Sequence, residues 1–168
     1  NRAIEFIEFY IKKHCPEIVL DTETKQTIID EVSWNMPYYL GLVCEQLIEI
    51  FDEEERQIEH NDVKVAVDNL FSPAMKTVFS HWRDRLNRLE KIERSYAQQV
   101  LDLVSQVNNS VVYGELFNLS QQADFKDKVD SRYVINCLLH DGYLHQPDDS
   151  TYQFTSPLLK RWWIRYGK

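Results

Sequence analysis

The stretch Leu138-Leu139-His140-Asp141-Gly142-Tyr143-Leu144, continued by Tyr152-Gln153-Phe154-Thr155-Ser156-Pro157-Leu158-Leu159-Lys160-Arg161-Trp162-Trp163, decides how the second half of the chain is read. Val134, Ile135, Leu138 and Leu139 share one helical face, and Gly142 supplies the left-handed conformation that stops a helix. Asp130 or Ser131 is the expected cap at its start. Two short extended runs follow, 143–145 and 151–155, the second placing Tyr152 and Phe154 on one face. Pro147, Asp148, Asp149 and Ser150 between them are turn formers. Ser156 then caps and Pro157 opens a last helix lined by Leu158, Leu159, Trp162, Trp163 and Tyr166.

Upstream of this stretch, a helix carrying Tyr96, Val100, Leu103, Val104 and Val107 ends at Asn108 and Asn109. Ser110 is the expected cap of a short helix with Leu116, Phe117 and Leu119, and residues 121–129 read as a polar connection. Helix, helix, helix, hairpin is the order of a winged helix, the helix-turn-helix variant with an appended β-hairpin. The first half repeats only the helical period. Ile4, Ile7 and Ile11, widened by Phe6, Phe9 and Tyr10, predict a largely buried first helix that Pro16 ends. Asp21 caps a second helix with Ile28, Ile29 and Val32, and Asn35 and Pro37 restart the chain into a third through Leu40, Val43, Cys44, Leu47 and Phe51. Asn61 is the cap-type residue before a fourth with Val63, Ala66, Val67, Leu70 and Phe71. Ser72 and Pro73 predict a fifth, connecting helix through Met75, Val78, Phe79, Trp82, Leu86 and Leu89. The expected fold is mainly α: a helical bundle over 1–88 and a winged-helix domain over 89–168, with the boundary between Arg85 and Lys91.

Composition narrows the function. With 43% apolar and 27% charged residues the chain is globular in type. Residues 1–84 hold 8 Lys or Arg against 17 Asp or Glu, and residues 85–168 hold 11 against 10. An acidic first half argues against nucleic acid, whose phosphates are met by clustered cations. Three widely spaced cysteines, Cys15, Cys44 and Cys137, form no disulfide framework and point to a reducing cytoplasm. No apolar run reaches the roughly 18–20 residues of a membrane span. The opening directly into a helical pattern at Asn1 leads to the expectation of more protein upstream.

The string from Leu138 to Trp163 resembles the end of the winged-helix domain in STAND-type ATPases of the AAA+ superclass, where a leucine-rich helix, D-G-Y-L, a hairpin and F-x-S-P-L-L-x-x-W-W follow one another. Trp34-Asn35-Met36-Pro37-Tyr38-Tyr39-Leu40 is similar to the segment of the family's helical lid that carries a G-x-P signature, with Asn35 standing where the signature has Gly. The resemblance implies a lid followed by a winged helix, with Asn35 and Pro37 near a nucleotide in the intact parent. ATP or ADP with Mg would be held by an upstream P-loop domain of the same chain. The glycines and Lys-[Ser/Thr] of a phosphate loop do not occur here. The implied role is therefore non-catalytic: reading out nucleotide state and recognising a protein partner.

Cys137, His140 and His145 lack the fourth ligand and paired spacing of a zinc site, so no metal is expected. The run Asp52–Glu55 with Glu59 reads as a solvated face. No catalytic triad can be assigned. The competing function is a DNA-binding module, with Arg132 and Asn136 on the third helix of the winged helix as base readers. Asp124, Asp127, Asp130 and Asp141 flank that helix and Asp148 and Asp149 sit at the hairpin tip, which disfavours DNA and favours protein.

Overall fold

The computed structural model describes residues 2–33 and 36–167, and the chain divides into two compact units, Asn1–Val78 and Phe79–Lys168. It is mainly helical with one small three-stranded antiparallel sheet. Among the described residues, no helix is long and apolar enough to cross a membrane.

The first unit contains α1 (Arg2–His14), α2 (Thr22–Val32), α3 (Pro37–Glu54) and α4 (Asp62–Asn69), and α3 packs against the other three. Its centrality follows from its sequence, since Leu40, Val43, Cys44, Leu47 and Ile50 are all buried. Pro37 occupies the first turn, where its missing N–H has no partner to lose. Asp21 caps α2 as expected, accepting from the Thr24 N–H at 2.7 Å. Two expectations need correction. α1 buries only Ala3, Ile7 and Ile11, while Phe9 is 63% exposed. Of the aromatics that widen the stripe, Phe6 and Tyr10 lie half-buried beside Gly41 of α3, and Phe9 falls outside the contact face. Asn61 makes no side-chain cap on α4. The next residue, Asp62, is buried instead and takes two hydrogen bonds from Arg56 at 2.8 Å and one from the Glu59 N–H at 2.7 Å. That carboxylate staples the 55–61 turn to the start of α4.

The division after Val78 lies upstream of the expected boundary. The predicted connector is not one helix: Pro73–Met75 form a 3-10 turn, and α5 runs Ser80–Leu86. Phe79, between them, has φ −105° and ψ 10°, outside the helical region. The apolar period across 75–89 is real, yet Phe79, Trp82 and Leu86 serve the core of the second unit.

In the second unit, α6 (Lys91–Gln106) is followed by β1 (Val111–Val112), α7 (Tyr113–Ser120), α8 (Ser131–His140), β2 (Leu144–His145), β3 (Thr151–Phe154) and α9 (Pro157–Trp162). The sheet order is β1-β3-β2, with Val111 opposite Tyr152 and Leu144 opposite Phe154. Asp130 and Ser156 cap α8 and α9 as expected, and Gly142 has φ 78°. Strand β1 was missed because two residues are too few to display alternation. Ser110 caps nothing; Val112 stands at the N-cap of α7. The polar connection 121–129 conceals Phe125, which is buried and meets the Tyr96 ring edge-on at 5.5 Å. The last helix stops at Trp162 and continues as a π-helical turn, Trp163–Gly167. Both tryptophans are buried. The Trp163 indole N–H donates to Asp102 on α6 at 2.8 Å, and a Cβ on Gly167 would collide with the Trp163 ring.

Candidate recognition surface

Helix α8 has two faces. Val134, Ile135 and Leu138 point into the core, and Arg132, Tyr133, Asn136 and His140 are exposed. The two residues proposed as readers, Arg132 and Asn136, therefore share the solvent side with Tyr133, which is 52% exposed. Arg132 is not idle there. Its guanidinium lies 5.0 Å from the Tyr113 ring centroid, and the Tyr113 hydroxyl is 2.9 Å from Ser131 Oγ. The ring and the cation hold α7 and α8 together while leaving one side of the guanidinium to solvent.

Opposite α8 stands the segment leaving α5. Arg85, Arg88, Tyr133, Asn136, His140 and Asp141 line a cleft of about 340 Å³. Arg85 lies 4.9 Å from the Trp82 ring centroid, and its Nη1 donates to the Asp141 carbonyl at 2.6 Å. The hydrogen bond between Tyr133 and the Cys137 thiol, with Glu93 and Glu90 near it, pushes the Tyr133 phenol above its ordinary pKa. Sequence reasoning missed Arg85 and Arg88 because it assigned them to the connector. Their i, i+3 spacing at the end of a helix was the available signal.

The hairpin tip is ordered by Asp148, which accepts from the Ser150 N–H at 2.9 Å, the Ser150 hydroxyl at 3.0 Å and the Thr151 hydroxyl at 2.8 Å. The Ser150 amide, and then the Thr151 hydroxyl, hold its pKa below the ordinary value, so the tip carries negative charge at neutral pH. Of the residues considered for zinc, Cys137 and His140 line the cleft, while His145 Nε2 on β2 is 2.9 Å from Gln153 Nε2. Among the described residues, no group of three metal-ligating side chains gathers.

In the first unit Pro37 is exposed at the start of α3, with Tyr38 beside it 50% exposed. Asn35, named with Pro37 as nucleotide-proximal, lies outside the described residues. No protein-family model matches the chain, and neither a curated protein nor a solved structure matches it.

Proposed function

We propose that the chain is a non-catalytic regulatory region of a STAND-type ATPase, a lid-like helical bundle and a winged helix that couple nucleotide state to recognition of a protein partner. The observation that carries the winged-helix reading is the order α6, β1, α7, α8, β2, β3 with β1 paired to β3. In that arrangement α8 takes the place of the recognition helix and 146–150 the place of the wing. The link to an ATPase rests on the resemblance of the Leu138–Trp163 string and of the segment around Pro37. The exposed Pro37 suits a residue that meets a nucleotide held by an upstream P-loop domain, which would supply the phosphate loop and the Mg site.

Protein is preferred to DNA as the partner because the ionised Asp148 and its neighbour Asp149 occupy the tip that a wing would bring to phosphate. The coding sequence upstream of Asn1 is expected to encode a Walker A loop; its absence there removes the ATPase assignment. The purified chain is expected to show no ATP turnover above a buffer blank. Duplex DNA is expected to bind no more tightly than the non-specific range, about micromolar or weaker at physiological salt. Submicromolar, sequence-selective binding would favour the DNA-binding module instead.

A further inference from the structure

We infer that the cleft between α8 and the 85–89 segment receives a peptide segment of a protein partner, one with an acidic centre and basic flanks. This inference rests on the protein-recognition reading above and adds the chemistry of the partner. Arg85 is preorganised: the Trp82 ring supports its guanidinium and the Asp141 carbonyl fixes Nη1. Arg88 is exposed and belongs to none of the ion pairs found among the described residues. Two guanidiniums facing one concavity, the first already immobilised, suit planar carboxylates that accept paired N–H donors. Asn136 and Tyr133 add an amide and a phenol to the same wall.

What surrounds the arginines selects a peptide. Asp141 lines the cleft, and the exposed Glu90 directly follows Leu89 of its wall. Nucleic acid carries a negative charge at every residue, so a strand centred on Arg85 and Arg88 would continue onto these acids. A peptide can confine its carboxylates to the arginines and set lysines or arginines against the acidic rim. The aromatic and arginine content of the wall is also the composition of interface hot spots.

The test is selection from a displayed library of short random peptides on the intact chain, followed by anisotropy titration of the enriched peptides. Enriched sequences are expected to converge on Asp or Glu at the centre with Lys or Arg outside. Arg88→Glu is expected to weaken them by about tenfold or more, while Lys64→Glu, a matched charge change on α4, leaves them unaffected. Arg88 is solvent-exposed, so the variant keeps its circular dichroism spectrum. If the enriched peptides lack acidic centres, or bind Arg88→Glu as tightly, the cleft assignment falls while protein recognition stands. If the chain instead binds duplex DNA below micromolar and Arg88→Glu abolishes it, both readings fall.

Discussion

Among the described residues the first unit buries Ile7, Ile28, Leu40, Leu47 and Leu70 with two rings, Tyr39 and Phe71, whereas the second buries Trp82, Trp163, Tyr96, Tyr143, Phe79 and Phe125. Aliphatic side chains ask only to be kept from water. Buried Tyr and Trp also carry a polar atom, and in the second unit three of these rings satisfy it across a long stretch of chain. Tyr96 donates to the Leu116 carbonyl at 2.7 Å, Tyr143 to the Trp82 carbonyl, and Trp163 to Asp102. The polar ties of the first unit lie nearer its surface and involve charge: Arg56 with Asp62, Lys25 with Glu8 at 2.7 Å, and the Tyr10 hydroxyl with Glu45 at 2.7 Å. Aliphatic packing with charged ties near the surface thus aligns the helices of the first unit, while in the second, hydrogen-bonded rings specify which segments meet.

The sharpest break of this contrast is Trp163→Ala. It removes a fully buried ring and its bond to Asp102, and a loss of about 3–5 kcal/mol is expected. Urea melts should show the second unit unfolding first in this variant. Trp162→Ala should act in the same direction, because that ring is buried as well. If either variant melts like the parent protein, the aromatic core is not what holds the unit.

Asp62→Asn tests the other side, with an expected loss of about 1–2 kcal/mol, low for charged hydrogen bonds because Arg56 stands partly in solvent. The Arg56 guanidinium, opposed by burial and aided by the Glu59 amide, holds the Asp62 pKa below the ordinary carboxylate value. A depressed carboxylate stabilises the folded state fully above its unfolded pKa, and this contribution is lost as pH falls through the folded value. The protection of the Val63 and Ala66 amides against hydrogen exchange, relative to the intrinsic rate, should therefore fall below about pH 4 in the parent protein, and Asp62→Asn should flatten that dependence. Next in size is Tyr96→Phe, which keeps the ring and deletes one hydrogen bond, at about 0.5–1.5 kcal/mol by thermal melt.

The same contrast explains how far the sequence could be read. Helical period names buried faces, so α2, α3 and α4 and the caps Asp21, Asp130 and Ser156 were legible. Period does not say which unit a face serves, and so 79–86 was read as part of a connector. It is silent as well on isolated contacts: Phe125 sits alone in a polar run, and β1 has two residues. Arg132 and Asn136 were legible as exposed α8 residues because the apolar positions of that helix fix its other face. The cleft was not, since Arg85 and Arg88 approach α8 through a fold that no local pattern encodes.

The smallest expected effect separates structure from recognition at one residue. Arg132 is exposed on α8 and its guanidinium covers the Tyr113 ring, an exposed cation–π contact of about 0.5–1 kcal/mol. If that contact is its role, Arg132→Ala lowers the melting temperature of the second unit slightly, and Tyr113→Leu in the same chain makes the second substitution silent. Such non-additivity is what a shared contact produces. A base reader behaves otherwise: Arg132→Ala would leave stability alone and cost about 1–3 kcal/mol in binding to a preferred duplex. Tyr113 carries a second contact, to Ser131, so Tyr113→Leu alone should cost more than Arg132→Ala alone. Thermal melts of the four chains in this cycle, with DNA titrations of the parent protein and Arg132→Ala, decide between the two. Additive melts together with lost sequence-selective DNA binding would assign Arg132 to DNA, and would weaken the case that α8 faces a protein.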